Sequence, residues 1–95
     1  MAAYVFVEVD VRDPQRYETY KQMAPPAIEL YGGKYLVRGP KVEVLEGSWS
    51  PQRCVILEFP SVEAARTWWE SPEYLEAKRL RQQTAETRMI LLQGL

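Results

Sequence analysis

Two glutamates and two arginines are the side chains in this sequence best suited to chemistry. Glu8 and Glu58 lie in segments that we expect to form neighbouring strands, and Arg38 and Arg53 lie in or beside apolar strands. A glutamate beside an arginine can orient a substrate carboxylate or enol, and burial raises the pKa of a glutamate to values suited to proton transfer. Charged strand residues also form ion pairs between subunits and set their register. Both interpretations remain open from the sequence.

Large aromatic side chains form the second candidate feature. Trp68 and Trp69 are adjacent, so on a helix they point about 100° apart. We therefore predict that one is buried and that the other lies at a rim or an interface. One interpretation is that, together with Tyr74, they form an aromatic-lined pocket between a helix and the sheet, closed by the loop that carries Trp49. The alternative interpretation is that these rings fill the core.

These features lead to one site hypothesis. The candidates for proton transfer are Glu58 and Tyr74. The candidate ligand-binding residues are Arg38 as an anion holder, Glu46, Trp49 and Trp68. The ligand would be a compact, partly apolar organic acid or aromatic molecule. The competing hypothesis is a non-catalytic dimeric module that binds small molecules or acts as an accessory protein.

The composition argues against several classes of site. The chain has no histidine, which removes the commonest transition-metal ligand and the usual general base. We therefore expect no metal and no cofactor. Cys54 is the only cysteine, which excludes an internal disulfide, and its apolar neighbours indicate a buried strand thiol. A net charge of −1 argues against nucleic-acid binding, which needs an excess of lysine and arginine.

The length of the chain predicts a single domain over residues 1–95. A chain of 95 residues buries only about 60 to 65% of its unfolded surface, so one subunit alone should be marginally stable. We therefore expect a homodimer. Glu8 and Asp10 interrupt the first apolar stretch, so it resembles neither a signal peptide nor a membrane span. The expected location is the cytoplasm, without a membrane partner.

Alternation and cap signals predict the elements that position these residues. Residues 3–11 alternate as in a strand with one aliphatic face. Asp13-Pro14 predicts the start of a helix, Pro25-Pro26 divides it into two kinked pieces, and Gly32-Gly33 ends it. The other predicted elements are a strand over 34–38 that breaks or bulges at Gly39-Pro40 and continues over 42–46, a turn over 47–52, a strand over 53–59, helices that open at Ser61 and Ser71, and a strand over 88–92 buried on both faces.

The last helix ends in a basic cluster. Lys78, Arg79 and Arg81 complement the negative end of the helix dipole, so we interpret this cluster as structural.

The order strand, helix, strand, strand, helix, strand predicts an α+β fold, the ferredoxin-like βαββαβ plait with an antiparallel sheet. Both helical regions would cover one face of this sheet. Tyr4 and Phe6 would leave the opposite face partly apolar, which favours contact with a partner sheet.

Four short motifs carry a resemblance to a known family: Tyr31–Leu36, Leu45–Trp49, Glu58–Ser61 and Ser71–Tyr74. Through these motifs the chain resembles, over essentially its whole length, the domain of unknown function family 1330. The resemblance implies a dimeric α/β barrel, in which two ferredoxin-like subunits bring their sheets face to face. The wider superfamily includes small cofactor-independent monooxygenases, isomerases and haem-degrading enzymes. The resemblance therefore implies chemistry of the first two kinds, since a chain without histidine suits haem poorly.

Overall fold

A computed structural model describes all residues from Met1 to Leu95. The elements in chain order are β1 (Ala3–Val11), α1 (Pro14–Leu30), β2 (Lys34–Gly39), β3 (Arg53–Phe59), α2 (Val62–Glu70), α3 (Pro72–Thr84) and β4 (Ala85–Gln93). The strands form one antiparallel sheet in the order β2-β3-β1-β4. This is the topology of the predicted ferredoxin-like plait, with β2 at an edge.

Local cap signals fix the helix starts. The Asp13 carboxylate accepts a hydrogen bond from the Arg16 backbone N–H at 3.2 Å, with Pro14 in the first turn of α1. Ser71 ends α2 and starts α3, because its hydroxyl donates to the Trp68 carbonyl at 2.7 Å and accepts from the Tyr74 N–H at 3.2 Å. The predicted restart of the second helical region is confirmed, and it holds Trp68 and Tyr74 in fixed relative positions.

The predicted division of the first helix at Pro25-Pro26 is wrong, since α1 is one helix from Pro14 to Leu30. Each proline removes one donor to the carbonyl four residues earlier, that of Lys21 or Gln22. Pro26 and Gln22 are both exposed, so water can solvate this side of the helix. The face of α1 that carries Ala24, Ala27 and Ile28 is buried in the core. This burial stabilises the unbroken helix.

The predicted continuation of the second strand over residues 42–46 is also wrong. β2 ends at Gly39, and residues 40–52 form no strand. Gly39 has a φ of +155° and Pro40 lacks an N–H, so the ladder stops there. Within 42–46 only Val42 is partly buried, so no apolar face draws the segment onto the sheet. The irregularity within β2 lies between Tyr35 and Val37.

The last strand is longer and more exposed than predicted. β4 covers nine residues, Ala85–Gln93, because it pairs with β1 over its whole length. As an edge strand it is not buried on both faces in the single chain, and Ile90 is 53% exposed. The other predicted strands, over 3–11, 34–38 and 53–59, are confirmed.

The core lies between the helices and one face of the sheet. β1 contributes Val5, Val7 and Val9, which are all buried. Gly33, just before β2, is required for close approach, because a Cβ there would lie 2.6 Å from the ring of Phe59. None of the three helices has both the length and the apolar character needed to cross a membrane.

The second face of the sheet carries no helix. Its central row runs across all four strands through Val37, Ile56, Phe6 and Ile90, which stand opposite one another in register. All four side chains are partly or largely exposed in the single chain. We call this row, with the residues around it, the open sheet face.

Candidate functional site

A small cavity of about 30 Å³ lies between the helices and the covered face of the sheet. Its walls come from α1, α2, α3 and all four strands, so residues distant in the chain meet there. The lining is mostly apolar and aromatic. The cavity is large enough to hold a water molecule but far smaller than a typical ligand site.

Every charged residue that lines this cavity is a cation: Lys21, Arg38, Arg53 and Arg81. Lys21 pairs with Glu18, Nζ to Oε1, at 2.8 Å. The three arginines contact no carboxylate. The cavity is therefore a positively charged site with an apolar body, a combination that suits an organic anion.

Arg38 and Arg53 each lie close to an aromatic ring. The Arg38 guanidinium lies 4.7 Å from the ring centre of Tyr35, and that of Arg53 lies 5.9 Å from the ring centre of Tyr17. Such cation–π contacts orient a guanidinium without neutralising its charge. Arg38 is exposed and so marks the solvent side of the cavity.

Arg81 is the inner cation, and its side chain is only 3% exposed. Its Nη1 donates to the Thr87 hydroxyl at 2.9 Å, which links α3 to β4. Its Nε is buried without an acceptor, and so is the indole Nε1 of Trp68, which lines the same cavity. Buried donors are nearly always paired in proteins, so these two are unusual.

Tyrosine hydroxyls supply the remaining polar groups. Tyr20 lines the cavity, and its hydroxyl lies 2.7 Å from that of Tyr74. Burial raises the pKa of Tyr17, Tyr20 and Tyr74, and the nearby arginine charges, Arg53 beside Tyr17 and Arg81 beside all three, oppose this rise only in part. At neutral pH these hydroxyls keep their protons, so they act as hydrogen-bond donors or acids rather than as bases.

The raised tyrosine pKa values predict a loss of stability in alkali. Because the folded chain holds these protons more tightly, their contribution is constant below the ordinary tyrosine pKa of 10.0 and is lost above it. Each such tyrosine should lower the free energy of unfolding by about 1.4 kcal/mol per pH unit in that range. Urea denaturation across this range measures the slope, which Tyr20→Phe should reduce. An unchanged slope in Tyr20→Phe would contradict the prediction.

The structure brings some of the predicted site residues together. Arg38 and Trp68 both line the cavity, and Tyr74 lies behind it, one hydrogen bond away through Tyr20. The prediction that one of the adjacent tryptophans is buried is confirmed, since Trp68 is 1% exposed and Trp69 is 41% exposed.

Other predicted site residues lie elsewhere. Glu58 lies on the open sheet face, where its Oε1 pairs with the Lys34 Nζ at 3.2 Å. Glu46 and Trp49 are exposed within residues 40–52, outside the cavity lining. Cys54, predicted to be a buried thiol, is only partly buried and also belongs to the open sheet face, beside Glu8 in register.

Sequence reasoning missed Arg81 as a functional candidate, because a basic residue near a helix end also suits the dipole. The available signal was helical spacing. Tyr74, Ala77, Arg81 and Thr84 recur every three or four residues and are the buried residues of α3. A charged residue within an otherwise buried stripe indicates a site more strongly than it indicates a cap.

A larger open depression of about 730 Å³ lies beside the ends of β1 and β4. Its walls carry Glu8, Asp10 and Glu86. Ion pairs engage all three, because Arg12 contacts both Asp10 and Glu86, and Arg88 contacts Glu8. The charges of this depression are mutually satisfied, so the helix–sheet cavity is the stronger candidate. No group of three acidic or cysteine side chains is placed to hold a metal ion.

Comparison with known proteins identifies a family and a fold. The family described as "Domain of unknown function (DUF1330)" matches residues 2–95. A protein of unknown function from Rhodopseudomonas palustris is 27% identical, with a TM-score of 0.80 over 99% of this chain and 82% of that one. A search of curated proteins found no match.

Two further solved structures share the fold at lower identity. A dimeric ferredoxin-like protein of unknown function from Jannaschia sp. CCS1 is 14% identical, with a TM-score of 0.79 over 99% of this chain and 100% of that one. SnoaB from Streptomyces nogalater, a cofactor-independent oxygenase, is 13% identical, with a TM-score of 0.68 over 99% of this chain and 92% of that one.

Proposed function

The chain belongs to the DUF1330 family, and on that premise we propose that it is a homodimeric, cofactor-independent enzyme that acts on a small organic acid with an apolar or aromatic body. The observation that carries this proposal is the helix–sheet cavity, whose lining is apolar and aromatic and whose charged residues are all cations. Such a site attracts an anion and desolvates its apolar part. Its hydroxyl groups supply the proton chemistry.

Each proposed role follows from position. Arg38 holds the anion as it arrives, because it is exposed at the solvent side of the cavity. Trp68 forms an inner wall. The Tyr20–Tyr74 hydroxyl pair transfers a proton, since two hydroxyls at 2.7 Å pass a proton between the cavity and the core. An acid larger than a water molecule has to displace the side chains of β2, an edge strand that leads into the irregular residues 40–52.

The reaction class is proposed from the shared fold. SnoaB has this fold and is a cofactor-independent oxygenase. Monooxygenase or isomerase chemistry on an activated organic acid is consistent with a cavity that offers cations and hydroxyl donors to a developing negative charge.

The homodimer is proposed to form through the open sheet face. The apolar row across four strands has no cover in the single chain, and a small domain gains stability from an added buried surface. The Jannaschia protein of the same fold is dimeric. The ion pairs Arg88–Glu8 and Lys34–Glu58 lie on this face, where they would help to set the register of two sheets.

One observation favours a second candidate function, a non-catalytic binding module. No carboxylate lines the cavity, and the chain has no histidine, so a general base is missing from its lining. Incubating the protein with each acid that binds and examining the products by mass spectrometry separates the two functions. Turnover that Tyr74→Phe abolishes while binding persists supports the enzyme. Binding without turnover supports the module.

Substitution of Arg38 by alanine is expected to weaken the binding of small organic acids by about tenfold, because it removes the positive charge at the solvent side of the cavity that attracts the arriving anion. A thermal-shift series with benzoate and short-chain carboxylates measures this loss. Arg79→Ala is the matched control, because Arg79 is an exposed arginine of α3 outside the cavity lining. Equal losses in the two variants would show that Arg38 acts only through overall charge.

A further inference from the structure

The inner cation of the cavity lacks a counter-charge. Arg81 is 3% exposed, donates a hydrogen bond to the Thr87 hydroxyl, and contacts no carboxylate. Burying an ionised group without a partner is strongly unfavourable, so buried charges are normally paired. A buried guanidinium kept without its pair indicates that the anion comes from outside the chain.

No group of the chain around the cavity can supply that negative charge. The residues that line it from α1, β2 and β3 are either apolar, cationic or tyrosine, and the only lysine among them already pairs with Glu18. β1, α2 and β4 contribute only uncharged lining residues. The tyrosines around Arg81 keep their protons at neutral pH, because burial disfavours tyrosinate.

Two unpaired hydrogen-bond donors indicate where the negative charge of a ligand would bind. The Nε of Arg81 and the Nε1 of Trp68 are both buried and unpaired, and both residues line the same cavity. The cavity, of about 30 Å³, has room for a water-sized group and is far smaller than the volume that holds a whole organic ligand. The charged end of a ligand therefore fits the inner position, with the body of the ligand directed towards Arg38 and the solvent.

We propose that the ligand of this cavity is a monocarboxylate that is already ionised before it binds, and that its carboxylate accepts from Arg81 Nε, with Trp68 Nε1 as the second donor. This inference rests on the proposed small-molecule function and narrows it. The site selects a pre-formed anion, and the protein does not generate one by removing a proton from a neutral ligand.

The test compares acids with their amides. Isothermal titration of the unmodified protein with benzoate and benzamide, and with butyrate and butyramide, measures the preference for charge at nearly constant shape. We expect each acid to bind about tenfold or more tightly than its amide. Titration of benzoate in two buffers of different ionisation enthalpy should show no net proton uptake or release. An amide that binds as tightly as its acid, or the release of a proton, would overturn the inference.

Two variants assign the preference to Arg81. Arg81→Met keeps the length and apolar packing of the side chain, and we expect it to abolish the preference for acid over amide. Arg79→Met, an exposed neighbour on α3, should keep that preference in full. A purely structural Arg81 would leave the preference intact in Arg81→Met, which contradicts the proposal. If Arg81→Met does not fold, the acid–amide comparison on the unmodified protein still decides.

The outcomes also separate this inference from the function on which it rests. If amides bind while acids do not, the small-molecule site remains supported, and only the proposal that its ligand is an anion is overturned. No binding of any acid or amide up to millimolar concentration would overturn both.

Discussion

Replacement of Trp68 by alanine is expected to lower the free energy of unfolding by about 3–5 kcal/mol, a large part of the total stability of a domain this small. Trp68 is 1% exposed, and its ring centre lies 4.4 Å from that of Tyr74 and 5.2 Å from that of Phe59. Truncation would leave a void where α2, α3 and the sheet meet. Urea denaturation followed by circular dichroism at fixed protein concentration measures the loss.

The adjacent tryptophan is a matched control. Trp69 is 41% exposed, and its ring centre lies 3.9 Å from the Lys78 ammonium, so Trp69→Ala should cost only about 1 kcal/mol. Trp68→Phe keeps most of the packing and removes the unpaired Nε1, so its loss should fall well below that of Trp68→Ala. Equal losses for Trp68→Ala and Trp69→Ala would show that the two rings do not differ in burial.

Features with local causes were predictable from the sequence. The alternation over residues 3–11 and the caps at Asp13 and Ser71 depend on neighbours within four residues, and the structure has β1, α1 and α3 at those places. The order of these elements restricts the chain to very few topologies, which is why the fold was predictable from them.

Features that depend on a partner were not predictable. Val42 and Val44 alternate as in a strand, but a strand forms only where another pairs with it, and on this side β3 pairs only with residues of Lys34–Gly39. The double proline of α1 predicts a break by local rules, and core packing of the surrounding helix outweighs them.

The site was only partly predictable for the same reason. The sequence indicates Arg38 and Trp68 as candidates, because one is charged within a predicted strand and the other is aromatic within a predicted helix. Both line the cavity. Glu58 has the right chemistry but the wrong parity, because side chains alternate along β3 and place it on the open sheet face. The helical spacing of Arg81 with Tyr74 indicates that both are buried, but only the packing of α3 against α1 places Arg81 at the cavity.

Substitution of Phe6 by aspartate is expected to convert the proposed homodimer to monomers. Phe6 lies at the centre of the apolar row, between Ile56 and Ile90 in register. A two-fold interface contains each substitution twice, and burial of two unpaired carboxylates should cost at least about 4 kcal/mol, which raises the dissociation constant about a thousandfold. Sedimentation velocity over a dilution series measures this change.

A control on the helix side separates loss of the interface from loss of folding. Leu75 is an exposed leucine of α3, on the layer opposite the open sheet face, so Leu75→Asp adds the same charge without touching the proposed interface. It should remain dimeric, and both variants should keep the circular dichroism of the unmodified protein. A Phe6→Asp protein that stays dimeric would place the interface elsewhere, since an unpaired carboxylate at the centre of a sheet-to-sheet contact strongly destabilises it.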